Sequence, residues 1–274
     1  MDTIDALIMG LVQGLSEYLP ISSSGHLEIC REVLGLKLSG GDALEFTVAL
    51  HVATVLSTIV VLWREFAGLC TSFFTLKRDE NTTYVWKILL SCIPVAIVGL
   101  FFKDDVEQFF GDGLTIVGIC LLVTAFLLAF AYFYPRRRSN LTLAGSVKEH
   151  DITWFDAFVI GCAQAVAVLP GLSRSGSTIA TGMILGDRRD RLAQFSFFMV
   201  IIPILGEALL DVKKMIESGS TGSEIGWLPM LVGFLAAFIV GCLACKWMIN
   251  LVKKGKLVWF AIYCAVMGVV CLVW

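Results

Sequence analysis

The sequence predicts an all-α polytopic membrane protein, built as an inverted-topology repeat. Three observations predict this fold: the composition, a set of long apolar segments, and an internal repeat. Apolar residues make up 57% of the 274 residues and charged residues 16%, with a mean hydropathy of +0.83. Soluble domains average roughly 45–50% and 25% for the same classes. The net charge of −2 and the lack of a basic-aromatic patch give no indication of nucleic-acid binding.

The internal repeat is visible in two polar stretches inside otherwise apolar sequence. Gln13–His26 returns in altered form at Gln164–Ser177, each with Leu-Pro followed by a serine-glycine segment. Asp5 and Asp156 precede the two copies at the same spacing. Two polar, glycine-bearing loops in apolar sequence are typical of one midplane site built from both halves of a membrane protein.

Two apolar helices that precede these loops, at about 5–19 and 154–169, are too short to cross a bilayer. A helix of about 15 residues rises about 22 Å, whereas the hydrocarbon core is about 30 Å thick. Each reaches Leu-Pro and then a second short helix, at about 25–35 and 176–186, which predicts a re-entrant hairpin. Six other segments are long enough to span: about 43–62, 85–102, 114–134, 193–211, 227–246 and 257–274.

The chain therefore divides into a first repeat at 1–135, a basic cytoplasmic linker at 136–152 and a second repeat at 153–274. Each half contains one re-entrant hairpin plus three transmembrane helices. Because three is odd, the second half must be inverted relative to the first. No removable signal peptide is predicted, because the N-terminus has no basic region or small-residue cleavage site.

Loop charges predict the orientation. The 63–84, 135–150 and 246–256 loops are basic, whereas the 103–113 loop is acidic. Positive charge is enriched in cytoplasmic loops, so both termini and the first hairpin's entrance are expected on the outer face. The predicted location is the cell inner (plasma) membrane, with a multi-pass topology and a site accessible from the periplasmic or outer side.

The first loop carries a candidate catalytic set. Gln13 and Glu17 share one helix face, and an ionised glutamate at this depth costs about 2.5–3.5 kcal/mol, so Glu17 needs a cation, an arginine or a proton. One serine before a short helix is an ordinary cap, but three beside an imidazole predict an anion site at the helix start. That segment consists of Ser22, Ser23, Ser24, Gly25 and His26.

The second loop repeats this arrangement and adds a guanidinium, Arg174, which can bind two phosphate oxygens at once. Together the loops predict a site for phosphate or pyrophosphate on a lipid. A carboxylate beside phosphates also favours Mg²⁺ or Ca²⁺, held by Gln13 and Glu17. The predicted phosphate-binding residues are Ser22, Ser24, Gly25, Ser173, Ser175, Gly176 and Thr178.

Hydrolysis at such a site requires a nucleophile, a proton carrier and charge neutralisation. Ser23 or Ser22 is expected to attack phosphorus, with His26 or water as alternative nucleophiles. His26 is expected to carry the proton and Arg174 to hold the developing charge. His51 is interpreted as a helix-packing residue in preference to a cavity residue. The nine cysteines are interpreted as small buried residues, not metal ligands or disulfides. Gly233, Ala236 and Ala237 are compatible with packing within one chain or in a homodimer.

The two loops closely resemble the undecaprenyl-diphosphate phosphatase family of bacteria, the bacitracin-resistance type. The matching segments are Gln13–Glu17, Leu19–His26 and Pro170–Thr178, and the similarity extends along the whole chain. Other membrane lipid phosphatases use a histidine some residues after Ser-Arg, and no histidine follows Ser173-Arg174 at that spacing.

The resemblance implies removal of the terminal phosphate from a C55 polyprenyl diphosphate at the outer membrane face, which recycles the lipid carrier for peptidoglycan synthesis. It also implies a divalent cation and catalytic roles for Glu17, Ser23, His26 and Arg174. Gln13 stands where many members have glutamate, which puts a two-carboxylate metal site in doubt. The alternatives are a polyprenyl-phosphate flippase using the same anion site and, with less support, a carrier of soluble anions.

Overall fold

The structure is a computed structural model that describes residues 1–36, 40–75, 78–102, 113–141, 149–217 and 225–274. Within these ranges the chain is helical, and its one β-type pairing is a bridge between His150 and Asp187. The helices are α1 (Thr3–Ser16), α2 (Ser23–Leu34), α3 (Gly40–Val61), α4 (Trp63–Phe74), α5 (Glu80–Phe101), α6 (Leu114–Leu141), α7 (Trp154–Val166), α8 (Arg174–Leu185), α9 (Arg189–Met199), α10 (Ile201–Glu217), α11 (Trp227–Lys253) and α12 (Val258–Val273).

Five segments of the described chain are long and apolar enough to cross a membrane, and large apolar side chains such as Phe126 and Leu243 are exposed on their outer faces. The expectation of six is therefore corrected. The sixth segment, predicted at 257–274, forms the 16-residue helix α12, which rises only about 24 Å. The five segments are Ala43–Val61, Glu80–Phe101, Leu114–Tyr134, Arg189–Lys213 and Trp227–Lys253.

Helix α4 lies where the sequence predicted a loop, between residues 63 and 84, so that expectation was wrong. The helix is amphipathic: Leu69 and Ser72 are buried as it packs on α5, while Phe74 is 80% exposed. Its basic residue, Arg64, was taken as part of a loop, although apolar residues spaced every three or four positions are a helical signal.

Parts of two predicted loops fall outside the described residues. Residues 103–112, which carry the acidic charges used to assign the orientation, are among them. So are residues 142–148 of the predicted basic linker.

The two halves pack against each other reciprocally. Helix α1 of the first half lies along α11 of the second, and α7 of the second half lies along α5 of the first. Helix α6, the last helix of the first half, packs on α12, the last helix of the second half.

Glycines allow close approach at the two corresponding crossings. A Cβ on Gly10 of α1 would collide with the carbonyl oxygen of Gly233, and one on Gly161 of α7 would collide with that of Ser91. Ala236 and Ala237 line the same α1–α11 contact. The small residues of α11 therefore pack within one chain, the first of the two alternatives drawn from the sequence.

The repeated aspartates are explained by helix capping. Asp5 completes a capping box with Asp2 at the start of α1, and Asp156 completes one with Thr153 at the start of α7. Each of the second hairpin helices, α2 and α8, then ends at a glycine with left-handed backbone, Gly35 and Gly186.

The nine cysteines of the chain are free thiols. Five of them are buried, as the sequence predicted, and the other four are partly exposed. Pro203 interrupts the long segment near residue 200, between α9 and α10. The freed carbonyl oxygen of Met199 accepts a hydrogen bond from the Cys92 thiol at 3.3 Å.

Candidate active site

The tips of the two helical hairpins meet. The hydroxyl of Ser175 donates to the carbonyl oxygen of Leu19 at 3.1 Å, so the start of α8 is tied to the loop after α1. A Cβ on Gly25 of α2 would lie 3.1 Å from the Cα of Gly171 in the second loop. The close contact of the tips places side chains from both halves in one site.

Glu17 is the centre of that site. Its side chain is 8% exposed, and one oxygen accepts hydrogen bonds from the Gln13 amide at 3.0 Å and the Ser23 hydroxyl at 2.6 Å. The other oxygen lies 3.3 Å from the Arg174 guanidinium. A buried carboxylate requires such compensation, and here the cation comes from the other half of the chain.

The start of α2 is held in an unusual backbone conformation. Ser22 has φ +72° and is the one residue other than glycine with positive φ in the described part of the chain. Such a conformation costs on the order of 1–3 kcal/mol and is found at functional sites. The Ser22 hydroxyl accepts from the Gly25 N–H at 3.2 Å and contacts the Ser24 hydroxyl at 3.3 Å. Ser22 is therefore the N-cap, which leaves Ser23 at the first position of the helix.

The start of α8 uses the same serine cap, but Ser173 has ordinary extended backbone and the positive φ falls on a glycine two residues before it. Ser173 caps the helix by accepting from the Gly176 N–H at 3.0 Å, and its own N–H donates to the Thr124 hydroxyl at 3.1 Å. Gly171 has φ +88°, and a Cβ there would come within 2.7 Å of the Val117 backbone. No other residue type fits this turn against α6 without movement of the backbone.

His26 is fixed behind the loop by two hydrogen bonds. Its Nδ1 lies 2.8 Å from the carbonyl oxygen of Ser22, which can only accept, so Nδ1 carries the proton in the neutral ring. Its Nε2 then accepts from the Tyr263 hydroxyl of α12 at 2.7 Å. Both nitrogens are thus engaged away from Ser23.

A cavity of about 1060 Å³ opens in front of the two helix starts. Among its lining residues are His51 and Arg31, and Arg31 is itself bonded to Thr47 at 2.9 Å and to Glu28 at 3.3 Å. The preference for His51 as a packing residue is therefore corrected. The predicted site residues that line this cavity are Glu17, Ser22, Ser23, Ser24, Ser173, Arg174 and Ser175.

Other predicted residues lie behind this lining. Gly25 and Gly176 supply capped N–H groups, and Gln13 is fully buried beside Glu17. Thr178 bonds to the Arg174 carbonyl at 2.9 Å and contacts Ser196 at 2.7 Å. These residues support the cavity-lining groups.

Three functional candidates were missed by the sequence reasoning. Gln164 lines a small cavity of about 20 Å³, large enough for one water, together with Glu17 and Arg174. Its place as the repeat partner of Gln13 was the signal that could have identified it. Thr124 and Tyr263 carry no local signal, because their contacts come from helices distant in sequence.

Comparisons with known proteins give consistent matches over the whole chain. The model of a family described as "Bacitracin resistance protein BacA" matches residues 6–270. A relative from Bacteroides fragilis, named undecaprenyl-diphosphatase, is 56% identical, and the alignment covers 100% of this chain and 98% of the relative. An undecaprenyl-diphosphatase from Parabacteroides distasonis is 55% identical, and the alignment covers 98% of this chain and 97% of the relative. One from Oceanobacillus iheyensis is 37% identical, and the alignment covers 97% of this chain and 94% of the relative.

Proposed function

The chain belongs to the bacitracin resistance protein BacA family, and on that premise we propose that it is an undecaprenyl-diphosphatase. It is an integral membrane hydrolase that removes the terminal phosphate of undecaprenyl diphosphate to give the monophosphate and inorganic phosphate. The product re-enters the lipid-carrier cycle of cell-wall synthesis. The observation that carries this proposal is the contact of Glu17 with Ser23 and Arg174 at the wall of the large cavity.

Ser23 is the proposed nucleophile and Glu17 the proposed base. The 2.6 Å hydrogen bond aims the hydroxyl proton at a carboxylate oxygen, so the proton passes to Glu17 as the serine oxygen attacks the terminal phosphorus. The bond from that phosphorus to the bridging oxygen breaks, and the lipid monophosphate leaves. Water then releases inorganic phosphate from the serine.

Arg174 and the two helix starts supply positive charge where the phosphoryl oxygens gather negative charge. Arg174 sits at the first position of α8, as Ser23 does in α2, so N–H groups of both helices face the same region. Preorganised donors of this kind are a large source of catalysis in phosphoryl transfer.

His26 is proposed to act mainly through position. Its Nδ1–H to the Ser22 carbonyl helps to hold the strained turn that presents Ser23, and Tyr263 holds the ring from the other side. This differs from the sequence-based proposal of a proton carrier, because Glu17 is the group bonded to Ser23.

The proposed divalent cation, Mg²⁺ or Ca²⁺, fits the donor set beside Glu17. The amide oxygen of Gln13 is buried and has no hydrogen-bond partner in the described chain, while the nitrogen of the same amide donates to the Glu17 carboxylate. Gln13 and Glu17 would hold the ion, which would neutralise phosphate charge. With one carboxylate instead of two, the substrate phosphates would have to supply the remaining oxygen ligands.

We also propose that the two hairpins are re-entrant and belong to an inverted repeat. Helices α1 and α7 rise only about 21 and 20 Å, their tips touch, and their packing partners are exchanged reciprocally between halves. With the positive-inside assignment, the cavity opens to the periplasmic face of the inner membrane.

Phosphate release tests this function. The purified protein in detergent is expected to release inorganic phosphate from undecaprenyl diphosphate, and Glu17→Ala is expected to lower the rate by about 10²-fold or more, because it removes the base. Glu28→Ala is the matched control: Glu28 is a second carboxylate on the same cavity, and it pairs with Arg31.

Equal rates for the wild type and Glu17→Ala would contradict the proposed chemistry. Movement of lipid between leaflets without phosphate release would instead identify a flippase. The curated relatives are named for the diphosphatase activity, and nothing in their names supports that alternative.

A further inference from the structure

A second polar cluster lies at the opposite end of the α7–α8 hairpin from Arg174. It consists of His150, Asp156 and Asp187, whose ligand-type atoms all lie within 4.8 Å of one another. The His150 Nδ1 is 3.5 Å from an oxygen of Asp187 and 3.8 Å from one of Asp156. Helix α8 separates this cluster from the active site by about 18 Å.

Asp187 is the residue that points to a ligand. Its side chain is fully buried, and neither carboxylate oxygen has a hydrogen-bond partner in the described part of the chain. Burial, reinforced by the neighbouring charge of Asp156, raises the pKa of Asp187 to about 7. A buried carboxylate without donors is costly, so this group is neutralised either by a proton or by a positive partner within the cluster.

When protonated, His150 is the positive partner of Asp187 within the cluster, at 3.5 Å, and the nearby lysine and arginine side chains do not supply a second one. Lys87 donates to the carbonyl oxygen of Ile152 at 2.7 Å. Arg188 is paired with Asp190 at 2.8 Å and with Asp151 at 3.5 Å. These side chains lower the local negative potential but make their contacts elsewhere.

The backbone holds the three residues in place. Gly186 has φ +102° and turns the chain at the end of α8, so that the Asp187 N–H donates back to the Gly182 carbonyl at 3.0 Å. The β-bridge then fixes His150 beside this turn, through His150 N–H to the Gly186 carbonyl at 3.1 Å. Asp156 is oriented by the Thr153 N–H of its capping box at 2.8 Å.

We propose that His150, Asp156 and Asp187 bind a divalent transition-metal ion of the Zn²⁺ type. Tetrahedral Zn²⁺ with bonds of about 2.0–2.2 Å has ligand separations of about 3.4 Å, close to the distances from His150 to both carboxylates. The Asp151 carbonyl oxygen, 3.1 Å from His150 Nδ1, is available as a fourth ligand in place of the hydrogen bond that it now accepts. One imidazole with carboxylates favours Zn²⁺ over Mg²⁺, which prefers oxygen ligands alone.

The ion would fasten the base of the hairpin whose tip presents Arg174, by joining the start of α7 to the end of α8. The first hairpin has no such cluster at the corresponding place: Asp5 occupies the same capping-box position as Asp156, but Leu36 stands where Asp187 does. Replacement of Asp5 is therefore a matched control for replacements within the His150 cluster.

The test is Zn²⁺ binding by the full-length protein in detergent, freed of metal with EDTA and titrated calorimetrically in excess Mg²⁺. Wild type and Asp5→Asn are expected to bind one equivalent more than Asp187→Asn and His150→Ala. Zn²⁺ should raise the unfolding temperature of the first pair only. His150 is half exposed, so its replacement leaves the core intact, and Asp187→Asn removes a buried charge.

Loss of one equivalent in both cluster variants, with Asp5→Asn unchanged, would support the site. Zn²⁺ binding that is undiminished in either cluster variant would overturn it. So would a wild-type protein that binds no Zn²⁺ under these conditions. None of these outcomes depends on phosphatase activity.

Discussion

The two hairpin tips use the same serine cap but carry different side chains at the first position of the helix. In both, a serine caps the second helix by accepting from the N–H three residues on, at Ser22 and at Ser173. The next residue, at the first helical position, is Ser23 in one tip and Arg174 in the other. The first tip therefore places a hydroxyl, and the second a guanidinium, in corresponding positions around Glu17.

This difference shows how a duplicated scaffold can become a single site. Each helix start provides the same backbone donors, so anion binding is common to both halves. The proposed nucleophile and base come from the first half alone, and the side-chain cation comes from the second alone. Neither hairpin contains a complete set, and the ion pair between Glu17 and Arg174 joins them.

The largest expected effect follows from removing the cation of the second tip. Arg174→Ala should lower phosphate release by about 10²–10³-fold, because it removes a preorganised positive charge and leaves Glu17 without its partner. Arg31→Ala is the control, since Arg31 lines the same cavity but is bonded to Glu28 and Thr47. Similar losses in the two variants would mean that the cavity needs positive charge in general and not at the second tip.

A somewhat smaller loss is expected at the first tip. Ser23→Ala should lower the rate by about 10²-fold and abolish any phosphoenzyme trapped by acid quench, because the attacking oxygen is gone. Ser24→Ala should lower the rate less than Ser23→Ala and leave the phosphoenzyme in place, since its hydroxyl contacts Ser22 and not Glu17. A phosphoenzyme that persists in Ser23→Ala would assign the attack to another group.

The smallest effect concerns stability and is expected to be alike in both halves. Gly10→Ala and Gly161→Ala should each lower the unfolding temperature, with a cost of about 1–3 kcal/mol, because each new methyl group would meet a carbonyl oxygen of the facing helix. Gly68→Ala in α4 is the control, because its nearest neighbour would be 3.8 Å away. Thermal unfolding in detergent measures all three, and a cost confined to one half would show that the crossings are not equivalent.

Much of each hairpin was predictable from the sequence. The helices predicted at about 5–19 and 25–35 are Thr3–Ser16 and Ser23–Leu34, and their ends agree within about three residues because serine, aspartate and glycine caps are local signals. Helix α4 was missed because Arg64 was counted with Lys77 and Arg78 as the charge of one basic loop. The role of His51 was misread because a single helix does not reveal which of its faces meets a cavity.

The sequence by itself determined the membrane class, the duplicated polar loops and the residue types of the site, because composition, capping and turn preferences act over a few neighbouring residues. The tertiary structure decided the partners: Glu17 with Arg174, Ser23 with Glu17, His26 with Tyr263, and Asp187 with His150. These pairings depend on how helices that are up to 237 residues apart in sequence pack together. Packing of that kind is set by the summed contacts of many side chains and leaves no short motif in the chain.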